Sequence, residues 1–250
     1  MTDTILQKLQ QLERDESIKI LYACESGSRA WGFESTDSDY DVRFIYVRPK
    51  DEYLNIIESP DYTGLPVNEV LDIAGWDLKK TLKLFLKSNS TLYEWLQSPI
   101  VYQQDRLFVS ELKELMPKYF SLRAGAHHYL SMAYNTFRDD LQTDQLKMKR
   151  YFYALRPILA CLWILKHGGV PPMEFSKLRV LITDGDIQKT IESLLSKKKI
   201  AGESELMEKI PLLNHWLEAT IEYCRENIGS LPAERNDSIE LSALFKKHLN

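Results

Sequence analysis

The chain has 250 residues and a formal net charge of −4, with 44% hydrophobic and 27% charged residues. These values are ordinary for a globular protein with one large domain or two modest ones. No stretch approaches the roughly 18 uninterrupted apolar residues of a membrane-spanning helix. The acidic balance also disfavours an extensive DNA footprint, whereas a small ligand or one end of an RNA remains compatible with it.

The three cysteines, Cys24, Cys161 and Cys224, are odd in number and far apart in the sequence. Each lies in an apolar or helical context, which predicts buried and reduced thiols. The N-terminal segment, residues 1–15, is amphipathic and lacks the apolar core of a signal peptide. We therefore expect a cytoplasmic protein.

In chain order, the first half of the sequence predicts alternating strands and helices. The predicted elements are a helix over 2–14, strands over Ile18–Cys24, Tyr40–Val47, Val67–Gly75 and Ile100–Tyr102, and helices after Asp77, from Ser90 and over Arg106–Met116. Gly75 to Asp77 is predicted to form a turn, with Asp77 as the N-cap of the helix that follows. This pattern favours a small sheet with helices packed on it.

Beyond Pro117, which we interpret as a domain change, the signals are almost all helical. The predicted helices cover residues 122–141, 146–167, 174–183, 186–196, 205–228 and 237–248. Pro157 is expected to kink or divide the second of these helices, and Gly168 to end it. The lysine run at 197–199 is interpreted as a solvated helix end.

The stretch from Gly27 to Asp41 lies between the first two predicted strands. It contains a Gly-Ser turn, a spacer of ten residues, and two aspartates separated by one residue. In an extended strand residues i and i+2 project to the same face, so Asp39 and Asp41 are expected side by side. Two ionised carboxylates this close repel unless a cation binds between them, and Mg²⁺ prefers such oxygen ligands.

Gly27-Ser28, the spacer and Asp-x-Asp running into an apolar strand resemble the signature of the polymerase-beta-type nucleotidyltransferase superfamily. The fuller sequences at 27–32 and 38–43 resemble a bacterial and phage subfamily of predicted nucleotidyltransferases, some of them associated with RNA repair. Stretches 75–80 and 94–102 also resemble that subfamily. The resemblance implies an α+β protein: a mixed-sheet catalytic domain over 1–116, followed by an all-helical domain over 117–250 that closes the substrate cleft.

The resemblance also implies a reaction. A nucleoside monophosphate would pass from a nucleoside triphosphate to an acceptor hydroxyl, assisted by two Mg²⁺ ions, or Mn²⁺ in their place. Asp39 and Asp41 would bind metal together with a third carboxylate. Asp72 is preferred because it lies among apolar residues, where a lone carboxylate is costly unless bound. Asp77 is a rival that a capping role already explains, and Glu69 points to the opposite strand face from Asp72.

Gly27 and Ser28 are the predicted phosphate-binding residues, because the helix that Ser28 opens would offer free N–H groups to an anion. Arg29 and Arg43 flank the site and are included among the nucleotide-binding residues. Arg43 has the same strand parity as Asp39, so it could contact phosphate or pair with a carboxylate. Both roles remain open.

In the helical part, Lys149, Tyr153 and Arg156 have the spacing i, i+4, i+7 and are predicted to share one helical face. That face could bind the triphosphate or the base, or it could be a solvated basic surface. The acceptor is also open. An RNA 3′ end, a small molecule and a protein hydroxyl all suit the same donor chemistry, and a non-catalytic nucleotide-binding module is the alternative of another class.

Overall fold

The structure, a computed structural model, describes residues 1–67, 70–200, 205–233 and 236–249. The chain forms two compact units. The first consists of Met1–Ala30, Asp39–Phe120 and Arg235–Asn250, and the second of Trp31–Ser38 and Ser121–Glu234. This division differs from the predicted domains in three places. Residues 117–120 belong to the first unit, so the boundary falls after Phe120. The C-terminal stretch belongs to the first unit, and a short piece of the Gly27–Asp41 motif belongs to the second.

The first unit contains a five-stranded sheet. Its strands are β1 (Lys19–Ser26), β2 (Tyr40–Val47), β3 (Tyr62–Gly64), β4 (Leu71–Asp77) and β5 (Val101–Gln104). Their order is β3-β4-β2-β1-β5, with β2 and β4 parallel and the other neighbours antiparallel. A mixed sheet with separate helices confirms the predicted α+β class.

Helices surround this sheet. They are α1 (Thr2–Asp15), the short α2 (Gly27–Trp31) that begins in this unit, α3 (Leu78–Leu86), α4 (Ser90–Trp95) and α5 (Arg106–Tyr119). A 3-10 helix covers Lys50–Leu54. Ile5, Leu9 and Leu12 form the buried stripe of α1. They pack in one apolar cluster with Val42 and Phe44 of β2, because helical spacing places all three leucine and isoleucine side chains on one face.

The predicted turn at Gly75 is wrong, because β4 continues through it to Asp77. The reason is packing. A Cβ at Gly75 would lie 2.2 Å from Cε2 of Phe44, so glycine is needed here to admit the neighbouring ring. Asp77 does cap α3, as predicted, and its side chain accepts from the Lys79 N–H at 2.7 Å. The three-residue strand β3 was not predicted.

The second unit is mainly helical. Its helices are α6 (Leu122–Asp140), α7 (Lys149–His167), α8 (Phe175–Arg179), α9 (Gly185–Lys198) and α10 (Pro211–Asn227). Two short strands, β6 (Gln145–Lys147) and β7 (Leu206–Glu208), pair antiparallel where longer helices were predicted. Pro157 lies inside α7 without dividing it, and Gly168 ends this helix at φ 65° as predicted.

The last helix, α11 (Ile239–Lys247), belongs to the first unit. Pro117 lies inside α5, which ends at Tyr119, so this helix extends three residues beyond its predicted end at Met116. All three cysteines are buried and form no disulfide, which confirms the predicted thiols. Among the described helices, none is long and apolar enough to cross a membrane.

Candidate active site

The parallel pairing of β2 with β4 brings Asp41 directly opposite Asp72. Residues in register on neighbouring strands project to the same face of the sheet, so the two half-buried carboxylates lie together. Both approach one guanidinium. Arg43 Nη2 lies 2.7 Å from Asp72 Oδ2 and 3.5 Å from Asp41 Oδ1. A positive group therefore lies between two carboxylates that were predicted to share a cation.

Gly27 has no side chain because the Asp41 carboxylate occupies that space. A Cβ at Gly27 would lie 2.2 Å from Asp41 Oδ2, and the backbone φ of +67° is one that residues with side chains rarely adopt. Ser26, the preceding residue, pairs with Asp41 across β1 and β2. The glycine of the motif is thus needed for the close approach of a predicted metal ligand.

Arg29 fixes the chain where it enters β2. Its Nε donates to the Asp39 carbonyl at 2.9 Å, and its guanidinium lies 3.9 Å from the ring centroid of Tyr40. Asp39 is exposed and precedes the first residue of β2. Ser28 is buried in the first turn of α2. The predicted site residues of the first unit therefore all lie on α2, on β2 and its approach, or at the start of β4.

Glu25 is a neighbour that the sequence interpretation missed. Its side chain is fully buried, and one carboxylate oxygen accepts from the Asp41 N–H at 2.8 Å. The other oxygen accepts from the hydroxyl of Tyr102. Burial raises the pKa of Glu25 above its ordinary value, against the opposing effect of these hydrogen bonds. Strand alternation does not single out Glu25, because every residue of β1 from Ile20 to Glu25 is buried.

Two other residues, Asp77 and Glu69, are rival candidates for the third metal ligand, and the structure describes only Asp77. Asp77 lies at the far end of β4 from Asp72 and is paired in register with Tyr46. Besides capping α3, it accepts from the Tyr53 hydroxyl at 2.6 Å, and burial raises its pKa. Glu69 lies outside the described residues.

In the second unit, the motif spacer is anchored by aromatic packing. Phe33 is 2% exposed, and its ring stacks on Phe152 with centroids 5.0 Å apart. Phe33 also meets Phe175 edge-on at 5.6 Å. Trp31 lies 6.1 Å from the ring of Tyr153. Trp31 and Phe33 therefore attach the spacer to a hydrophobic core, whereas Gly32, Glu34, Thr36 and Asp37 of the same spacer are exposed.

The three predicted residues of α7 are not equally accessible. Lys149 and Tyr153 are half-buried, whereas Arg156 is only 3% exposed. Arg156 donates to the Met173 carbonyl from Nε at 3.1 Å and from Nη2 at 3.0 Å. Its guanidinium also lies 4.7 Å from the ring of Trp31. These contacts give Arg156 a structural role in holding the spacer, and its predicted ligand contact stays a prediction.

Lys198 contradicts the expectation of a solvated lysine run. It is 5% exposed, and its Nζ lies 3.4 Å from the Ser35 hydroxyl oxygen of the spacer. The signal was present in the helical spacing, because Lys198 continues the buried stripe of Ile187, Ile191 and Leu194. A basic residue thus supports the spacer from α9.

Within the described parts of the chain, no group of three or more His, Cys, Asp or Glu side chains is already arranged around a metal position. The donor chemistry nevertheless fits Mg²⁺. Asp41 and Asp72 converge on one cationic group, the Arg43 guanidinium, and carboxylate oxygens are the ligands that this ion prefers. Asp39, two residues before Asp41, is exposed enough to add a third carboxylate.

A family model described as "RNA repair pathway DNA polymerase beta family" (RlaP) matches residues 1–247. The chain belongs to this family. The match covers both units and confirms the resemblance to polymerase-beta-type nucleotidyltransferases that the Gly-Ser and Asp-x-Asp motif indicated. The coarse assignment, a member of a nucleotidyltransferase family, thus extends to the helical unit as well as to the sheet.

The chain is also similar to "Uncharacterized protein YcgL" of Bacillus subtilis (strain 168). The two are 44% identical over 247 residues, which cover 98% of this chain and 95% of that protein. Among solved structures it is similar to a nucleotidyltransferase-like protein from Exiguobacterium sibiricum, with 11% identity and a TM-score of 0.36 over 90% of this chain and 75% of the other.

Proposed function

We propose that this protein transfers a nucleoside monophosphate from a nucleoside triphosphate to an acceptor hydroxyl, and that an RNA 3′ end is the acceptor. The observation that carries the proposal is the register of β2 and β4, which brings Asp41 and Asp72 onto one face around a single positive group. The family description names RNA repair, which supports an RNA acceptor over a small molecule or a protein hydroxyl.

Asp39, Asp41 and Asp72 would hold Mg²⁺. When bound, the metal neutralises charge on the attacking and leaving oxygens of the displacement. Ser28, with the backbone amides beside it, would bind the triphosphate, because α2 begins at Gly27 and the first N–H groups of a helix have no acceptor within that helix. Gly27 keeps this turn close to the Asp41 carboxylate.

Arg43 would exchange partners when substrate binds. In the structure its guanidinium balances Asp41 and Asp72. Once those carboxylates hold metal, the guanidinium is available to a phosphate oxygen, for which its planar fork is suited. Arg43 would then pair with the carboxylates before substrate binds and contact phosphate afterwards, which are the two roles that the sequence left open. Lys149, Tyr153 and Arg156 on α7 are kept as candidate contacts to the base or triphosphate. The buried cysteines agree with a cytoplasmic enzyme.

The test is transfer of label from α-³²P nucleoside triphosphates, each supplied with Mg²⁺ and one acceptor. The acceptors are an RNA with a 3′ hydroxyl, the same RNA with a blocked 3′ end, a panel of small alcohols, and a bulk protein. Labelling of the open RNA alone is expected, with none after chelation of the metal and none by an Asp41→Asn variant. Labelling of protein or small molecules instead would show that the acceptor is not RNA. Triphosphate binding without any transfer would support the non-catalytic module.

A further inference from the structure

Glu25 lies at the end of β1, beside the proposed metal ligands, and all of its polar groups are engaged. Its N–H donates to the Ile100 carbonyl at 2.9 Å, and its own carbonyl accepts from the Ser98 hydroxyl at 2.7 Å. Its side chain has no exposed surface. Burying a carboxylate costs several kcal/mol unless its oxygens are hydrogen-bonded. A glutamate at this buried position therefore destabilises the fold unless its hydrogen bonds offset that cost.

The two oxygens of Glu25 join Asp41 to β5. One accepts from the Asp41 N–H at 2.8 Å, and the other from the hydroxyl of Tyr102. On the opposite side of β2, the preceding amide, that of Tyr40, donates to the Val70 carbonyl at 2.8 Å. Successive amides at the start of β2 are thus held from both sides. The peptide plane of Asp41, and with it the direction of its Cα–Cβ bond, is fixed.

We propose that Glu25 is a positioning residue, which fixes the backbone of Asp41 so that its carboxylate is preorganised for a divalent cation. The inference rests on the metal-binding role proposed above for Asp41. Glu25 has no contact with solvent, because it is fully buried, and both of its oxygens already accept hydrogen bonds from protein groups. It acts through Asp41, and Tyr102 acts through Glu25.

A carboxylate suits this role better than a neutral acceptor. Both of its oxygens accept, one from the Asp41 N–H and the other from the Tyr102 hydroxyl, whereas a side-chain amide has only one oxygen to accept with. Removing a group that hydrogen-bonds to a metal ligand and orients it typically weakens metal binding by about 10- to 100-fold. The same contact made only for stability would not alter the affinity for metal.

The test measures Mn²⁺ affinity beside stability in the full chain. Free Mn²⁺ is followed by electron paramagnetic resonance during titration of the wild type, Glu25→Gln, Glu25→Ala and Tyr102→Phe, and thermal unfolding is recorded for each. The matched control is Tyr53→Phe, which removes another tyrosine–carboxylate hydrogen bond, the one to Asp77. It should lower the unfolding temperature by a similar amount without changing the Kd for Mn²⁺.

We expect the Kd for Mn²⁺ to rise about 10-fold in Glu25→Gln and Tyr102→Phe, and up to about 100-fold in Glu25→Ala, because glutamine keeps an oxygen for the Asp41 N–H. Unchanged affinity in folded Glu25→Gln and Tyr102→Phe, with lowered unfolding temperatures, would make the role merely structural and overturn the inference. If Glu25→Ala does not fold, these two variants still decide. A wild type that binds no Mn²⁺ would instead overturn the proposed function, and the inference with it.

Discussion

Two tyrosine–carboxylate pairs lie at opposite ends of the paired strands β2 and β4. At one end Tyr53 donates to Asp77, and at the other Tyr102 donates to Glu25. Burial raises the pKa of both carboxyl groups. Their remaining partners differ. Asp77 accepts from the first turn of a helix, whereas Glu25 accepts from the amide of Asp41.

The difference lies in how the neighbouring charges are paired. Around Asp77, three carboxylates each pair with a separate basic residue: Glu52 with Arg48, Glu58 with Lys79 and Asp61 with Lys80. The helix start explains Asp77 completely, since a capped N-terminus needs one acceptor. At the other end Asp41 and Asp72 add two carboxylates to Glu25, and Arg43 stands between them. Two carboxylates here share one guanidinium, so negative charge is in excess at this end of the strands. We therefore expect the Asp77 end of the strand pair to be structural and the Asp41–Asp72 end to bind the proposed cation.

Exchanging an aspartate for asparagine at each end gives the largest expected contrast. Asp72→Asn should lower the rate of nucleotidyl transfer on the order of 1,000-fold, because several kcal/mol of metal-assisted charge neutralisation are lost. Asp77→Asn should leave the rate unchanged, since asparagine is an equally good N-cap. The measurement is kcat with each variant at saturating triphosphate and Mg²⁺.

Full activity in Asp72→Asn would remove Asp72 from the metal site. Loss of activity in Asp77→Asn, with unfolding temperature unchanged, would move the third ligand to the other end of β4.

Two glycines, Gly27 beside Asp41 and Gly75 two residues before Asp77, each leave a space that a neighbouring side chain occupies. An added Cβ would lie 2.2 Å from Asp41 Oδ2 at Gly27 and 2.2 Å from Phe44 Cε2 at Gly75. Gly27→Ala should displace the carboxylate and lower the transfer rate by about 100-fold, a loss that a misplacement near 1 Å can cause. Gly75→Ala should instead lower the free energy of unfolding by about 1–3 kcal/mol through overpacking.

Transfer rates and urea unfolding of both variants check this pair. Equal loss of activity in folded Gly75→Ala would mean that strain passes along the strands, and the two ends would not be separable.

The features of this site that the sequence predicted are those that depend on residues close together in the chain. The strand Tyr40–Val47 was predicted with its observed bounds, because its apolar character and the Asp-x-Asp pattern are local. The cap at Asp77 was equally local. The partnership of Glu25 with Asp41 and Tyr102 was not predictable, because it depends on the register of β1 against two other strands.

The same reason explains the misplaced boundaries. The sequence offered Gly75 as a turn, but its lack of a side chain serves the packing of Phe44 on the next strand. Three-residue strands such as β3 are too short for a period of two to be visible. Phe33 and Lys198 belong to the core of the second unit through contacts with α7, α8 and α9 that no local pattern around the motif contains.

The smallest contrast concerns two arginines, Arg43 within β2 and Arg48 just past its end. Arg43 bridges Asp41 and Asp72, and Arg48, just past the strand, pairs with Glu52 at 3.7 Å. Without metal, Arg43→Ala and Arg48→Ala should each lower the free energy of unfolding by about 1–2 kcal/mol. Each change leaves a carboxylate without its charged partner.

Saturating Mn²⁺ should then distinguish the two. In Arg43→Ala the ion can neutralise the carboxylates that the guanidinium had balanced, so binding to the native state restores much of the lost stability. In Arg48→Ala the metal should give no more stabilisation than it gives the wild type. Thermal unfolding with and without Mn²⁺ measures the difference. Equal metal-induced shifts in both variants would show that Arg43 and the cation do not share the same carboxylates.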